Sequence, residues 1–245
     1  MTIFSEGLLS RLVNNNLINQ DGAVYIAVFI GFVVLSITVS YLLGSISSAI
    51  IVSKLLYKED VRSHGSGNAG LTNMLRTYGA KAAVLTLVGD MLKTALAILF
   101  TAFLFGFSYE KGISLSGYCY LSGMWVVLGH VYPIFYGFKG GKGVLVTATM
   151  ALILTPVSFG ALILTFAAIL AISRYVSLGS ITVATLYPIT VCLYCLLLCN
   201  TLPIMTAICT IFLGAFIVWC HRANIKRLAS GTEKKLSIGK KEKNN

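Results

Sequence analysis

The chain has 245 residues, of which 57% are hydrophobic and only 11% charged, where a soluble domain carries about 25% charged residues. A mean hydropathy of +0.86 excludes an ordinary soluble domain. The long apolar runs, without the short regular alternation of strands, exclude a β-barrel. The formal net charge of +11 reads as loops facing the inside of a cell rather than as a nucleic-acid surface.

The predicted fold class is therefore an all-α polytopic membrane protein. Residues 1–22 form a polar N-terminal extension with Glu6, Arg11, Asp21 and four asparagines. The extension lacks the ordered basic, apolar and small-residue regions of a signal peptide, and residues 8–18 read as a short interfacial helix. The first span covers 24–57. It exceeds the ~20 residues a bilayer requires, so it tilts, or its end beyond Gly44 enters a protein-lined region. The second span, 82–107, holds Asp90 and Lys93, three apart and thus neighbours on a helix. The loop 108–112 is short, and the third span, 113–135, ends in Gly129-His130-Val131-Tyr132-Pro133.

Residues 144–172 are apolar but interrupted by Thr155-Pro156, which fits one kinked span or a hairpin of two short helices. Spans at 178–198 and 202–220 follow. With the hairpin there are seven transmembrane helices, N-terminus outside and C-terminus cytoplasmic. Only Arg11 and Lys111 of the nineteen Lys and Arg then lie outside, and Lys93 lies within a span. A single kinked span would put Arg174 and the whole basic tail outside, so the positive-inside rule selects the hairpin. One transmembrane domain, 23–229, is expected, followed by a basic cytoplasmic tail, 230–245, that reads as disordered from Lys234 and meets anionic lipid. The six cysteines lie in apolar segments and read as buried packing residues rather than as metal ligands or disulfides.

In this topology four polar islands share one face. The stretch Phe138-Lys139-Gly140-Gly141-Lys142-Gly143 combines backbone N–H groups that can turn toward an anion with two cations. Residues 58–81 offer Gly65-Ser66-Gly67-Asn68, then Asn73 and Arg76, with Arg62 upstream. The third island runs from Ser173 and Arg174 to Ser180, and the fourth holds His221, Arg222, Asn224, Lys226 and Arg227. Arginine can grip phosphate with paired hydrogen bonds, lysine adds a point charge, and histidine exchanges protons near neutral pH. Each island also has a plain structural reading. Gly-rich segments are turns, terminal cations are topology anchors, His130 is a buried structural histidine, Asp90–Lys93 is an internal ion pair, and Ser180 is a helix cap. Their convergence favours a site for phosphorylated molecules at the membrane's inner face. No Ser-His-Asp arrangement, Walker motif or metal spacing is visible.

These motifs resemble the PlsY family. Gly44-Ser45, Asp60-Val61-Arg62-x-x-Gly65-Ser66-Gly67-Asn68-x-Gly70-x-Thr72-Asn73-x-x-Arg76-x-x-Gly79, Gly129-His130-x-x-Pro133-x-Phe135-x-x-Phe138-Lys139-Gly140-Gly141-Lys142-Gly143, Ser177-Leu178-x-Ser180 and His221-Arg222-x-Asn224-Ile225-x-Arg227-Leu228-x-x-Gly231-x-Glu233 fall in order from about residue 38 to 235. The chain departs from the family at Ser47, often proline, and Leu71, often alanine. The resemblance implies a bacterial inner-membrane enzyme that moves a fatty acyl group from acyl phosphate to glycerol 3-phosphate, giving lysophosphatidic acid and phosphate. It implies catalytic roles for Ser66, Arg76, Lys142, Ser180, His221 and Asn224, with Gly140, Gly141 and Gly143 as a phosphate-binding loop. Only this resemblance of the motifs makes Lys142, between the glycines, the expected substrate contact and Lys139 the membrane-face anchor. Gly65, Gly67, Asn68 and Asn73 join them as substrate-binding candidates. No cofactor or nucleic acid is expected. The expected partners are the two substrates, membrane lipids and the soluble phosphate acyltransferase that makes acyl phosphate. The competing class is a membrane transporter of an organic phosphate, which would place its polar groups at midplane.

Overall fold

The computed structural model describes residues 6–20, 22–107, 109–110, 113–114 and 117–236. The predicted loop positions Ser108, Lys111 and Gly112, Asp21, and the tail from residue 237 lie outside the described residues.

The first apolar run divides. Helix α1, Leu8–Asn14, is the short polar-extension helix, ending four residues before the expected 18. Helix α2 spans Ala23–Ser45 and α3 spans Ser48–Tyr57. Ile46 and Ser47 between them are extended, so the break forms here without the family's proline. The long span therefore does not simply tilt; its end beyond Gly44 turns into a separate helix that packs on α5, Ala80–Phe105. Between them lie a 3₁₀ turn, Val61–Ser63, and the amphipathic α4, Leu71–Tyr78.

A two-residue hairpin, β1 Tyr109–Glu110 with β2 Ile113–Ser114, is the only strand pair among the described residues, a small exception to the all-helical expectation. Helix α6, Gly117–Val131, stops at the Tyr132-Pro133 step, as a proline without an N–H requires. The Thr155-Pro156 step divides α7, Val144–Leu154, from α8, Pro156–Ser173, with proline at the first helical position where its missing donor costs nothing. Helix α9, Val176–Tyr194, continues through Cys195–Cys199 as a π segment, and α10, Ile204–Cys220, bends by 54° into α11, Arg222–Ala229.

By length and apolar composition four described helices can cross a membrane, or five if the bent α10–α11 pair is one span. Three of the predicted crossings fall on the shorter α6, α7 and α10, of 15, 11 and 17 residues.

The centre of the bundle is α2 against α6, with α5 and α10 alongside. It is a close contact because a side chain on Gly44 would strike the Val126 carbonyl and one on Gly129 would strike the Tyr41 carbonyl. Small residues let helices approach where lipid offers no hydrophobic drive between them. Hydroxyl pairs fill the seam: Ser36 with Thr101 at 2.7 Å and Ser40 with Ser122 at 2.8 Å. Around these sits an apolar core of Ile98, Tyr120, Val126, Val127, Met150, Leu154 and Leu213. On the outside, Ile30, Val34, Leu92, Leu164 and Ile208 are exposed, as lipid-facing side chains must be.

Candidate functional site

All four polar islands meet at one end of this bundle. The first is built around Asn73. Its Oδ1 accepts the Ser66 N–H at 3.0 Å, and its Nδ2 lies 3.0–3.2 Å from the carbonyls of Val61, His64 and Asn68. The amide is thus spent on the loop's own backbone, which Gly65 and Gly67 turn with φ of 59° and 69°. Ser66 is exposed at the tip of that loop, beside Asn68.

Arg62, first read as one more face cation, is a clamp. Its guanidinium pairs with Asp60 at 2.8 Å and donates to the carbonyls of Tyr136 at 2.7 Å and Lys139 at 3.1 Å. The Arg62 hydrogen bond holds the Asp60 carboxyl below its ordinary range. The Ala69 N–H reaches the Gly140 carbonyl at 3.4 Å, joining the same two islands a second time.

The glycine–lysine stretch is folded back on the end of α6. Gly140 N–H bonds to the Val131 carbonyl and Gly141 N–H to that of His130, both at 3.1 Å. Side chains are excluded at both glycines: one on Gly140 would strike the His130 carbonyl, and one on Gly141 the His130 ring. Gly143 has φ of 83°, a conformation that costs an L side chain about 1–2 kcal/mol, and leads directly into α7. Lys139 is exposed on this turn while Lys142 points inward and is half-buried.

Lys142 Nζ donates to Asn224 Oδ1. Asn224 Nδ2 then donates to Glu233 Oε1 at 2.7 Å, and Arg227 Nε to Glu233 Oε2 at 2.6 Å. Burial, then the neighbouring Arg227, lowers the Lys142 ammonium from its ordinary range. Burial pushes the Glu233 carboxyl up, but hydrogen bonds from Asn224 and Arg227 outweigh it and leave the group below its usual value. Arg76 also acts on Lys142 through charge, so Lys142, Arg76 and Arg227 gather near Glu233 with an excess of positive charge, which favours an anion.

His221 sits at the α10–α11 bend. Its Nδ1–H donates to the Ile217 carbonyl at 2.8 Å, which leaves the Nε2 lone pair as an acceptor. Asn224 is one turn further along α11. Ser180 is buried in the first turns of α9, and its hydroxyl bonds to the Val176 carbonyl at 2.9 Å; helix α9 begins at Val176, so Ser180 does not cap it. Among the described contacts, the side chains of Ser66 and Ser180 do not touch the Lys142–Asn224 pair.

The tail supplies what the sequence reading missed. Residues 232–236 do not start a free chain end. Glu233 is buried in the cluster, the Lys234 carbonyl accepts from Arg76 at 3.1 Å, Lys235 lies over the Tyr175 ring, and Leu236 N–H bonds to the Arg174 carbonyl at 2.8 Å. This strap ties the first, third and fourth islands. One signal was available: Glu233 is the sole acid between His221 and Leu236, amid five Lys and Arg.

The chain is similar to known membrane acyltransferases in sequence and in fold. The glycerol-3-phosphate acyltransferase family model matches residues 34–231. A glycerol-3-phosphate acyltransferase of Geobacillus kaustophilus (strain HTA426) is 40% identical over 202 residues, 82% of this chain and 95% of the relative. That of Clostridioides difficile (strain 630) is 41% identical over 204 residues, 83% and 94%. Among solved structures, PlsY (YgiH), described as an integral membrane glycerol 3-phosphate acyltransferase, superposes with a TM-score of 0.71 in its glycerol 3-phosphate form. It is 34% identical, covering 84% of this chain and 96% of that one. Its lysophosphatidic acid form gives a TM-score of 0.69 at the same identity. The match runs through every island from Ser66 to Asn224, and the chain belongs to the glycerol-3-phosphate acyltransferase family.

Proposed function

We infer that the protein transfers a fatty acyl group from acyl phosphate to the sn-1 hydroxyl of glycerol 3-phosphate. The observation that carries this is the Lys142–Asn224–Glu233 cluster, flanked by Arg76 and Arg227. It is a half-buried cluster with more cations than acids, at the end of a lipid-facing bundle. Both substrates carry phosphate, and a PlsY structure of 34% identity is described as a glycerol 3-phosphate form. Lys142 and Arg76 hold the phosphates, with Arg76 exchanging the Lys234 carbonyl for substrate. The Gly140–Gly143 stretch and the Ser66 loop, with Gly65, Gly67 and Asn68, line the approach. The Gly140, Gly141 and Ser66 N–H groups are already taken by Val131, His130 and Asn73, so these glycines serve by letting the backbone come close rather than by donating.

Acyl phosphate is already activated, so positioning and charge stabilisation suffice. The glycerol hydroxyl oxygen attacks the acyl carbonyl carbon. The bond from that carbon to the phosphate oxygen breaks, and phosphate leaves with the electron pair. Glu233 is a poor base, because hydrogen bonds from Asn224 and Arg227 hold its carboxyl below its usual range. His221 Nε2 orients the attacking hydroxyl, a phosphate oxygen takes its proton, and Ser66 and Ser180 orient substrate. The acyl chain lies among the α-helices in lipid.

The architecture that suits this chemistry has seven crossings, N-terminus outside and C-terminus cytoplasmic, in the bacterial inner membrane. Residues 23–229 are the catalytic domain, 1–22 an extension and 230–245 a basic tail. The charge distribution supports it, because the basic islands gather at one end. The soluble enzyme that supplies acyl phosphate is the expected partner. Direct attack is tested by incubating purified protein with radiolabelled palmitoyl phosphate alone, then with glycerol 3-phosphate. Lysophosphatidic acid and an equal amount of phosphate are expected only with both substrates, and no label on protein before. An acyl group captured on Ser66 would establish an acyl-enzyme instead.

A further inference from the structure

Asp90, Lys93 and His130 lie deep in the bundle, apart from the cluster just described. Asp90 and Lys93 stand one turn apart on α5, and both side chains are almost fully buried. Lys93 Nζ donates to the Gly44 carbonyl at 3.1 Å, the Ile46 carbonyl at 2.7 Å and His130 Nδ1 at 3.1 Å. An ammonium has three hydrogens, so all of them are used. Asp90 Oδ1, at 2.9 Å, balances the charge without a hydrogen bond of its own. With Nδ1 accepting, the ring proton of His130 is on Nε2.

Each partner of Lys93 bears on the glycine loop. Gly44 and Ile46 carry the carbonyls left open where α2 ends, and a cation there satisfies both the hydrogen bonds and the helix dipole. That helix end crosses α6 at Gly44 and Gly129, immediately before His130. The His130 ring, held by Lys93 on one edge, lies against the Cα of Gly141 with the other. Its backbone carbonyl accepts the Gly141 N–H. From Gly140 the contact passes to Ala69 and the Ser66 loop.

We propose that Asp90, Lys93 and His130 form a buried brace that sets the position of Gly140 and Gly141, and thereby the affinity of the site for the phosphate of glycerol 3-phosphate. They are positioning residues and touch no substrate. The proposal rests on the reading of the glycine stretch as a phosphate cradle. A buried ion pair in a membrane protein otherwise lowers stability unless its hydrogen bonds are complete. Here the lysine's hydrogen bonds are complete, because it reaches two helix-end carbonyls and the histidine that faces the loop, while Asp90 Oδ1 meets it through charge alone.

The test uses the full chain in lipid vesicles with palmitoyl phosphate as donor. Lys93→Met is expected to raise KM for glycerol 3-phosphate and the inhibition constant of inorganic phosphate in parallel, by about tenfold or more, with a much smaller change in kcat. His130→Asn keeps an acceptor toward Lys93 and should retain most of the affinity that His130→Leu loses. A second pair serves where Lys93→Met does not fold. Gly141→Ala should lose activity because its methyl group overlaps the His130 ring, and Gly141→Ala combined with His130→Ala should regain about tenfold of it. Gly140→Ala, which meets the His130 backbone carbonyl, should gain nothing from the same second change. Equal losses in kcat with unaltered KM and phosphate inhibition would overturn the brace, as would a His130→Leu protein that binds glycerol 3-phosphate and inorganic phosphate as tightly as wild type. A wild-type protein that makes no lysophosphatidic acid would overturn the proposed function instead.

Discussion

Two lysines in this chain stand beside carboxylates, and their surroundings differ in one respect. Lys93 is enclosed: three acceptors take its three hydrogens, and Asp90 cancels its charge. Lys142 is half-buried, has Asn224 as its described hydrogen-bond partner, shares Glu233 with Arg227, and feels the charge of Arg76. A lysine with every hydrogen placed has nothing left for a ligand and can only hold structure. A lysine with hydrogens to spare, beside two other cations, is prepared to bind an anion. Residue type alone does not separate these roles; burial and the count of satisfied donors do.

The comparison breaks most visibly at Asp90. Asp90→Ala leaves the Lys93 ammonium buried without its counter-charge, and should cost about 3–5 kcal/mol of stability, read as a fall in the thermal midpoint of purified protein. The combined change Asp90→Asn with Lys93→Met removes both charges and should cost clearly less. At the open site, Glu233→Ala releases Asn224 and Arg227 together. The loss should be about 1.5–3 kcal/mol, and it should appear both as lower stability and as weaker glycerol 3-phosphate binding, because Asn224 positions Lys142.

A smaller effect follows from protonation. Burial lowers the Lys142 ammonium below its ordinary 10.5, so binding needs the form present below that depressed value. KM for glycerol 3-phosphate should rise as pH climbs through it, short of 10.5, and Lys142→Arg should move that alkaline limb upward. The fold should not weaken with it. An unfolded lysine holds its proton to higher pH than this one does, so in that window the lysine contributes increasing stability as pH rises. The smallest effect belongs to the seam: Ser40→Ala removes the bond to Ser122 and should cost about 0.6 kcal/mol, leaving activity unchanged.

Much of the site could be read before the fold, because polar islands stand out against apolar helices. Lys142 and Asn224 were singled out on that ground, and the family resemblance of the motifs separated Lys142, between the glycines, from Lys139. What could not be read was the direction of each hydrogen bond. Asn73 looks like a substrate ligand by composition, yet its amide is spent on three loop carbonyls. Arg62 looks like a surface cation and is a clamp between two loops. Glu233 closes the last motif, yet its burial was not legible; that depends on Asn224 and Arg227, nine and six residues back, across a turn at Gly231. Helix limits were legible at Pro156; at Pro133 the expected span ran on to 135, whereas α6 ends at Val131. They were not legible at Ile46–Ser47, where a lysine 47 residues away takes the freed carbonyls.

The central claim, that the open lysine belongs to the substrate, is tested most directly by one comparison. Wild-type protein and Lys142→Ala are assayed side by side for lysophosphatidic acid formed from palmitoyl phosphate and glycerol 3-phosphate, with thermal midpoints recorded on the same samples. The wild type should form product and Lys142→Ala should lose about 10²–10³-fold in rate with its midpoint unchanged or raised, since a buried, partly unmatched charge has been removed. A Lys142→Ala protein that keeps its fold and works within about tenfold of wild type would contradict the account.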